Sequence, residues 1–152
     1  MLSPCAKCNL LFGAGMTFAP YAWTDGVIFP VLFEIDESRW ELGAYRFATS
    51  QRFAEHGLEN VTSAGPFWGF TAMHRWQLLH RGSGRYYFGF GANWRTEPDW
   101  LTATRWNFAY TVAARGDLGH GALVELSLRH WSNAWIKLPN RGINMLMLTF
   151  GF

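Results

Sequence analysis

The chain has 152 residues, a formal net charge of +2, only 16% charged residues and 18% aromatics, with nine Trp. That charge is too mild to point to nucleic acid, and the charged fraction falls well below the ~25% of an average globular protein. The aromatic load asks for more apolar surroundings than a small soluble core offers. No run of about 20 apolar residues exists for a helical membrane span, which leaves a closed β-barrel as the way across a bilayer.

Taken in order, the chain opens with a short segment, residues 1–8, ahead of the first patterned stretch. Cys5 and Cys8 are the only cysteines. A lone Cys-x-x-Cys has no second pair for a zinc site and no βαβ context for redox chemistry, so they read as incidental thiols. Leu10 to Phe18 is thin and glycine-broken for a signal peptide and reads instead as a first strand. Strands are predicted at 9–18, 27–35, 39–49, 65–78, 85–94, 104–114, 120–133 and 142–152. Each is near the ~9–11 residues that cross a bilayer at a tilt. Tight turns are expected at Asp36-Glu37-Ser38, Arg81-Gly82-Ser83-Gly84 and Arg115-Gly116-Asp117, with longer connections around 19–26, 50–64, 95–103 and 134–141. Strict alternation of short and long connections is the habit of outer-membrane barrels. The whole of 1–152 therefore reads as one domain, an all-β, eight-stranded, antiparallel, up-and-down transmembrane β-barrel.

The faces agree with this. Tyr86, Phe88, Phe90 and Ala92 alternate with Tyr87, Gly89, Gly91 and Asn93, and Leu146, Leu148 and Phe150 alternate with Met147, Thr149 and Gly151. One face is lipid-like, and the other is small or polar, as a narrow filled lumen requires. Trp23, Trp40, Trp68, Trp94, Trp100 and Trp135 lie near predicted strand ends, where an aromatic girdle belongs. Phe152 ends an alternating strand and resembles the C-terminal signal read by the barrel-assembly machinery. A soluble lipocalin-like carrier stays open at this point, because alternation alone does not say which face looks inward.

Polar residues inside strands need partners. Glu34, Glu41, Arg46, Arg75, Arg105 and Arg129 are expected to pair in the lumen, since an unpaired charge facing lipid is costly. His74 and His80 lack a partner set for a metal, and no metal or cofactor is implied. Arg95, Lys137 and Arg141 fall in predicted outer loops, where Arg and Lys suit phosphate groups.

The seventh strand carries the chemistry. In Val124-Glu125-Leu126-Ser127-Leu128-Arg129-His130-Trp131-Ser132 the even positions share one face. His130 and Ser132 therefore sit side by side on an apolar surface, a base next to a hydroxyl that needs one. Asn144 falls on the same face of the last strand, where hairpin pairing allows it to meet His130 and accept from a ring nitrogen. Glu125 lies on the opposite face.

His130-Trp131-Ser132-Asn133-Ala134, followed by Pro139-Asn140-Arg141-Gly142-Ile143-Asn144, resembles the lipid A 3-O-deacylase (PagL) family over about residues 105–152. The resemblance implies an outer-membrane barrel whose outward Ser-His-acid triad hydrolyses the 3-position acyl ester of lipid A in lipopolysaccharide. Carried over, Ser132 is the nucleophile, His130 the base and Asn144 the residue in the acid position. Asn140 and a backbone N–H near Trp135 would be the oxyanion donors, with Arg141 and Lys137 toward the substrate. The partners implied are lipid A, outer-membrane lipids and the barrel-assembly machinery, with a homodimer left open. Two departures stand out: an amide replaces the family's carboxylate at 144, and a bulky Trp occupies 135. The rival reading is a small outer-membrane barrel whose triad has decayed, serving a structural or adhesive role.

Overall fold

Residues that alternate large apolar with small or polar side chains can satisfy both faces only as strands. A computed structural model describes residues 8–19, 22–36, 38–48, 66–97, 104–138 and 142–152. It holds eight strands: β1 (Asn9–Ala19), β2 (Ala22–Ile35), β3 (Trp40–Phe47), β4 (Phe67–Arg81), β5 (Gly84–Arg95), β6 (Trp106–Gly119), β7 (Ala122–Ser132) and β8 (Ile143–Gly151). Consecutive strands pair antiparallel, and β8 returns to β1, from Leu11 opposite Gly151 to Phe18 opposite Asn144, closing the barrel.

The direction of the two faces is now fixed. Phe12, Phe29, Val31, Leu42, Leu126 and Leu148 are exposed on the outside, while Glu34, Glu41, Arg75, Arg115, Glu125 and Arg129 are buried inside. A lipocalin would show the reverse. This is a barrel with its apolar face turned outward, as a bilayer demands.

Two layers fill the lumen. Toward the end that carries the long connections, Trp131 packs edge-on to Tyr45 with ring centroids 5.1 Å apart. Phe47 stacks on Phe67 at 4.2 Å. Gly69 makes room for this plug, since a Cβ there would lie 2.5 Å from the Trp131 ring. Below it lies an ionic layer. Arg129 grips Glu41 through both nitrogens of its fork, one of them 2.8 Å from Oε2. Arg75 bonds Glu34, Glu41 at 3.0 Å and Glu125 at 2.7 Å. Arg115 reaches Glu125 at 3.0 Å, Glu34 at 2.8 Å and the Ser38 hydroxyl at 2.7 Å. Three carboxylates thus face three guanidiniums with no water-facing side chain among them. In such a layer each charge is tolerable only because the others satisfy it.

Several expectations need correction. The first connection is short: Ala19 pairs with Ala22, and β2 starts well before residue 27. The alternation of loop lengths is therefore not strict. The turn after β6 is at His120-Gly121, both with positive φ, and not at Arg115-Gly116-Asp117. Arg115 belongs to the buried layer, whose attraction for a sixth charge carries the strand past the Gly. Arg46 faces outward over the Trp68 ring at 5.4 Å, and Arg105 is exposed just before β6. Neither joins the lumen network. Arg95 is no loop cation: it ends β5, is fully buried, and lies over the Phe67 ring. Cys8 is disulfide-bonded, so it is not an idle thiol, and Cys5 lies outside the described residues. So do Glu37 and Trp100, together with the side chain of Trp23.

Removing one carboxylate of the ionic layer leaves three buried guanidiniums facing two carboxylates, with one charge uncompensated. Glu125→Leu is expected to destabilise the barrel by about 3–5 kcal/mol. Urea unfolding in detergent micelles, followed by the gel mobility of folded against unfolded barrel, measures it.

Candidate active site

β7 carries two kinds of residue on its two faces. Glu125, Arg129 and Trp131 are held in the lumen, so His130 and Ser132 must project outward. Successive outward residues on a strand are about 6.6 Å apart at Cα, close enough for their side chains to meet. Register brings the third member. His130 stands opposite Asn144 on β8 and opposite Tyr110 on β6, while Ser132 stands opposite Phe108.

The imidazole is anchored at one nitrogen. His130 Nδ1 lies 2.8 Å from Asn144 Oδ1. When Nδ1 carries the proton it donates to this amide oxygen, which leaves Nε2 with a lone pair. Tyr110 covers another side of the ring, with centroids 6.2 Å apart. The outward residues around it on the three strands are Phe108, Tyr110, Leu128 and Leu146, none of them acidic. Glu125 is on the lumen side, fully buried and committed to arginines. Asn144 is thus the polar group that register delivers to His130.

Beyond Ser132 the chain turns sharply. Ala134 and Trp135 both adopt positive φ, +50° and +66°, which non-glycine residues rarely do. Asn133 holds this turn. It is buried, its Oδ1 accepts the Trp135 N–H at 3.1 Å, and its Nδ2 donates to the Lys137 carbonyl at 2.7 Å. The Ala134 N–H donates to Ser132 Oγ at 3.2 Å. Of the two backbone donors near Trp135, the one at 135 is engaged by Asn133 and the one at 134 already points at the hydroxyl. Sequence reasoning passed over Asn133, although an Asn just past a strand end, able to bond its own backbone two residues on, is a turn-forming signal. The Trp135 and Lys137 side chains are exposed. Asn140 and Arg141 lie outside the described residues.

Two other features are separate from this site. A cavity of about 740 Å³ opens at the short-turn end, lined by Asn9, Ser38, Arg85 and Tyr87 among others, and none of the outward row borders it. Glu34, Glu41 and Glu125 bring oxygens within 4.8 Å of one another, the spacing of a cation site. Arg75, Arg115 and Arg129 already neutralise them, so their chemistry is that of an ion-pair cluster. His74, read as a non-ligand, lies between Trp40 and Trp76, with ring centroids at 4.8 and 4.4 Å.

Comparison with known proteins bears on this outward row. The family model described as lipid A 3-O-deacylase (PagL) matches residues 23–152. The crystal structure of the outer membrane enzyme PagL is similar at a TM-score of 0.61 and 14% identity, covering 95% of this chain and 98% of that one. The outer membrane protein Ail of Yersinia pestis, in a phospholipid bilayer nanodisc, is similar at a TM-score of 0.49 and 11% identity, with the same coverage. No curated protein sequence matches the chain. The PagL crystal structure shares the barrel fold. The family match takes in both strands that build the outward row, and the chain belongs to the lipid A 3-O-deacylase (PagL) family.

Proposed function

We propose that this chain is a serine esterase of the bacterial outer membrane that removes the acyl chain ester-linked at the 3-position of lipid A. The observation that carries the reading is the row itself. A histidine anchored at Nδ1 by Asn144 at 2.8 Å and a serine two residues on both project from the outer, apolar wall of the barrel. Family membership supplies the substrate class.

On this reading the steps are these. Ser132 Oγ attacks the ester carbonyl carbon while His130 Nε2 takes the hydroxyl proton. The C=O electrons move onto oxygen, where Asn140 and, of the two backbone N–H groups near Trp135, the one at Ala134 that points at the Ser132 hydroxyl are the donors. The intermediate collapses, the sugar oxygen leaves with the proton from Nε2, and an acyl-serine remains. Water then attacks that ester, giving up its proton to Nε2, and the fatty acid departs as Ser132 regains its hydrogen. Lys137 and Arg141 provide cations for the phosphates of lipid A. Proximity does much of the work, because the ester already resides in the leaflet beside the site.

Asn144 is the unusual member. With its oxygen turned to the ring it favours the tautomer that leaves Nε2 basic, with its Nδ2 turned there it favours the other, and in neither case does an amide give countercharge to the imidazolium that forms. In serine proteases the acid-to-Asn change costs about 10⁴ in turnover through the wrong tautomer. Here the amide favours slow turnover, and it is also the feature that supports the rival, a decayed barrel.

One experiment separates the two. The chain is expressed behind a secretion signal, and lipid A from the outer-membrane fraction is weighed by mass spectrometry. Loss of one hydroxyacyl chain, abolished by Ser132→Ala, is the expected result. Unchanged lipid A from a correctly inserted barrel establishes the rival. A second prediction concerns the amide: Asn144→Glu preserves or raises turnover, and a collapse of activity in that variant removes Asn144 from the orienting role.

A further inference from the structure

We infer that Gly142 is a positioning residue for His130, and that its missing side chain keeps the imidazole in working order. The inference rests on the esterase reading for its kinetic readout, and on geometry for the rest. Gly142 is buried in the approach to β8, two residues before Asn144, with φ of +71°. A Cβ placed there would lie 2.5 Å from His130 Cε1 and 3.0 Å from His130 Nε2. On its other side it would lie 3.1 Å from the carbonyl oxygen of Trp131.

Which neighbour gives way decides the outcome. The Trp131 carbonyl is backbone, at a residue paired with Ile143 in the β7–β8 ladder, and its indole is locked into the lumen plug. It has nowhere to go. The imidazole is a side chain on the open outer face and turns about two bonds. Any side chain at 142 therefore displaces the ring. The displaced edge is Cε1–Nε2, where the esterase reading has the proton exchanged, and the displacement either breaks the 2.8 Å contact with Asn144 or changes the direction in which Nε2 points. Backbone at 142 and amide at 144 hold the ring from two directions, so one short stretch of chain sets both its angle and its tautomer.

The left-handed φ and the crowding are separable. Ala at 142 suffers both. Asn accepts left-handed backbone better than other residues but still carries a Cβ. With the folded barrel in detergent micelles and an acyl ester of lipid A as substrate, Gly142→Ala and Gly142→Asn are both expected to lose about 10²-fold or more in kcat with KM within about threefold, since a 1 Å misplacement of a reacting group costs that much. Both should keep the gel mobility of a folded barrel. Either folded variant with kcat within about threefold of the parent overturns the inference. A measurement on the unaltered protein covers the case in which a variant does not fold. NMR in micelles should show a strong nuclear Overhauser effect between His130 Hε1 and the Gly142 α-protons, and its absence overturns the placement. If the parent chain is itself inactive on lipid A while folded, the esterase reading falls, and the NMR contact alone decides for or against Gly142.

Discussion

The ionic layer in the lumen is the constraint on which the rest of the structure depends. Glu34, Glu41, Arg75, Arg115, Glu125 and Arg129 come from β2, β3, β4, β6 and β7, and every one is buried. Charges of this kind cannot face hydrocarbon, and they tolerate the interior only in each other's company. Because a strand alternates, committing Glu125 and Arg129 inward commits Leu126, Leu128, His130 and Ser132 outward. A slip of one residue in β7 would put two charges onto the outer apolar wall and His130 and Ser132 into the lumen. Register, and with it the identity of the outer row, is thus set from inside.

Much of this was legible in the chain. Alternation over eight segments gave the strands, and the glycines at 89, 91 and 151 marked the lumen side. Legibility failed where a local pattern was contradicted by a partner far away in sequence. Arg115-Gly116-Asp117 looks like a turn, yet Arg115 bonds Glu34, 81 positions distant, and the strand runs on. Arg95 at a strand end looks like a loop cation, but the alternation continues through it and an aromatic ring receives it. The longer connection expected around 19–26 yields to a ladder that pairs all the way to Ala19 and Ala22.

The site divides in the same way. His130, Ser132 and Asn144 could be placed on one surface from period and hairpin order alone. The closeness of Gly142 to the imidazole could not, because it depends on how the chain re-enters the wall after the turn. The turn itself carries strain. Two non-glycine residues in left-handed backbone cost about 1–3 kcal/mol each. The buried Asn133 offsets this with one bond accepted and one donated, both to the backbone of that turn.

A site built on the outside of a closed wall has protein on one side only. Enzymes with clefts surround their substrate and expel solvent by closing; among the described residues no second lobe faces His130 across a gap, and on the esterase reading hydrocarbon would supply the missing half. On that reading the leaflet would belong to the catalyst. Its order, thickness and fluidity would fix the depth and tilt at which an ester arrives, so that acyl composition or temperature would alter turnover without any atom of the polypeptide changing place.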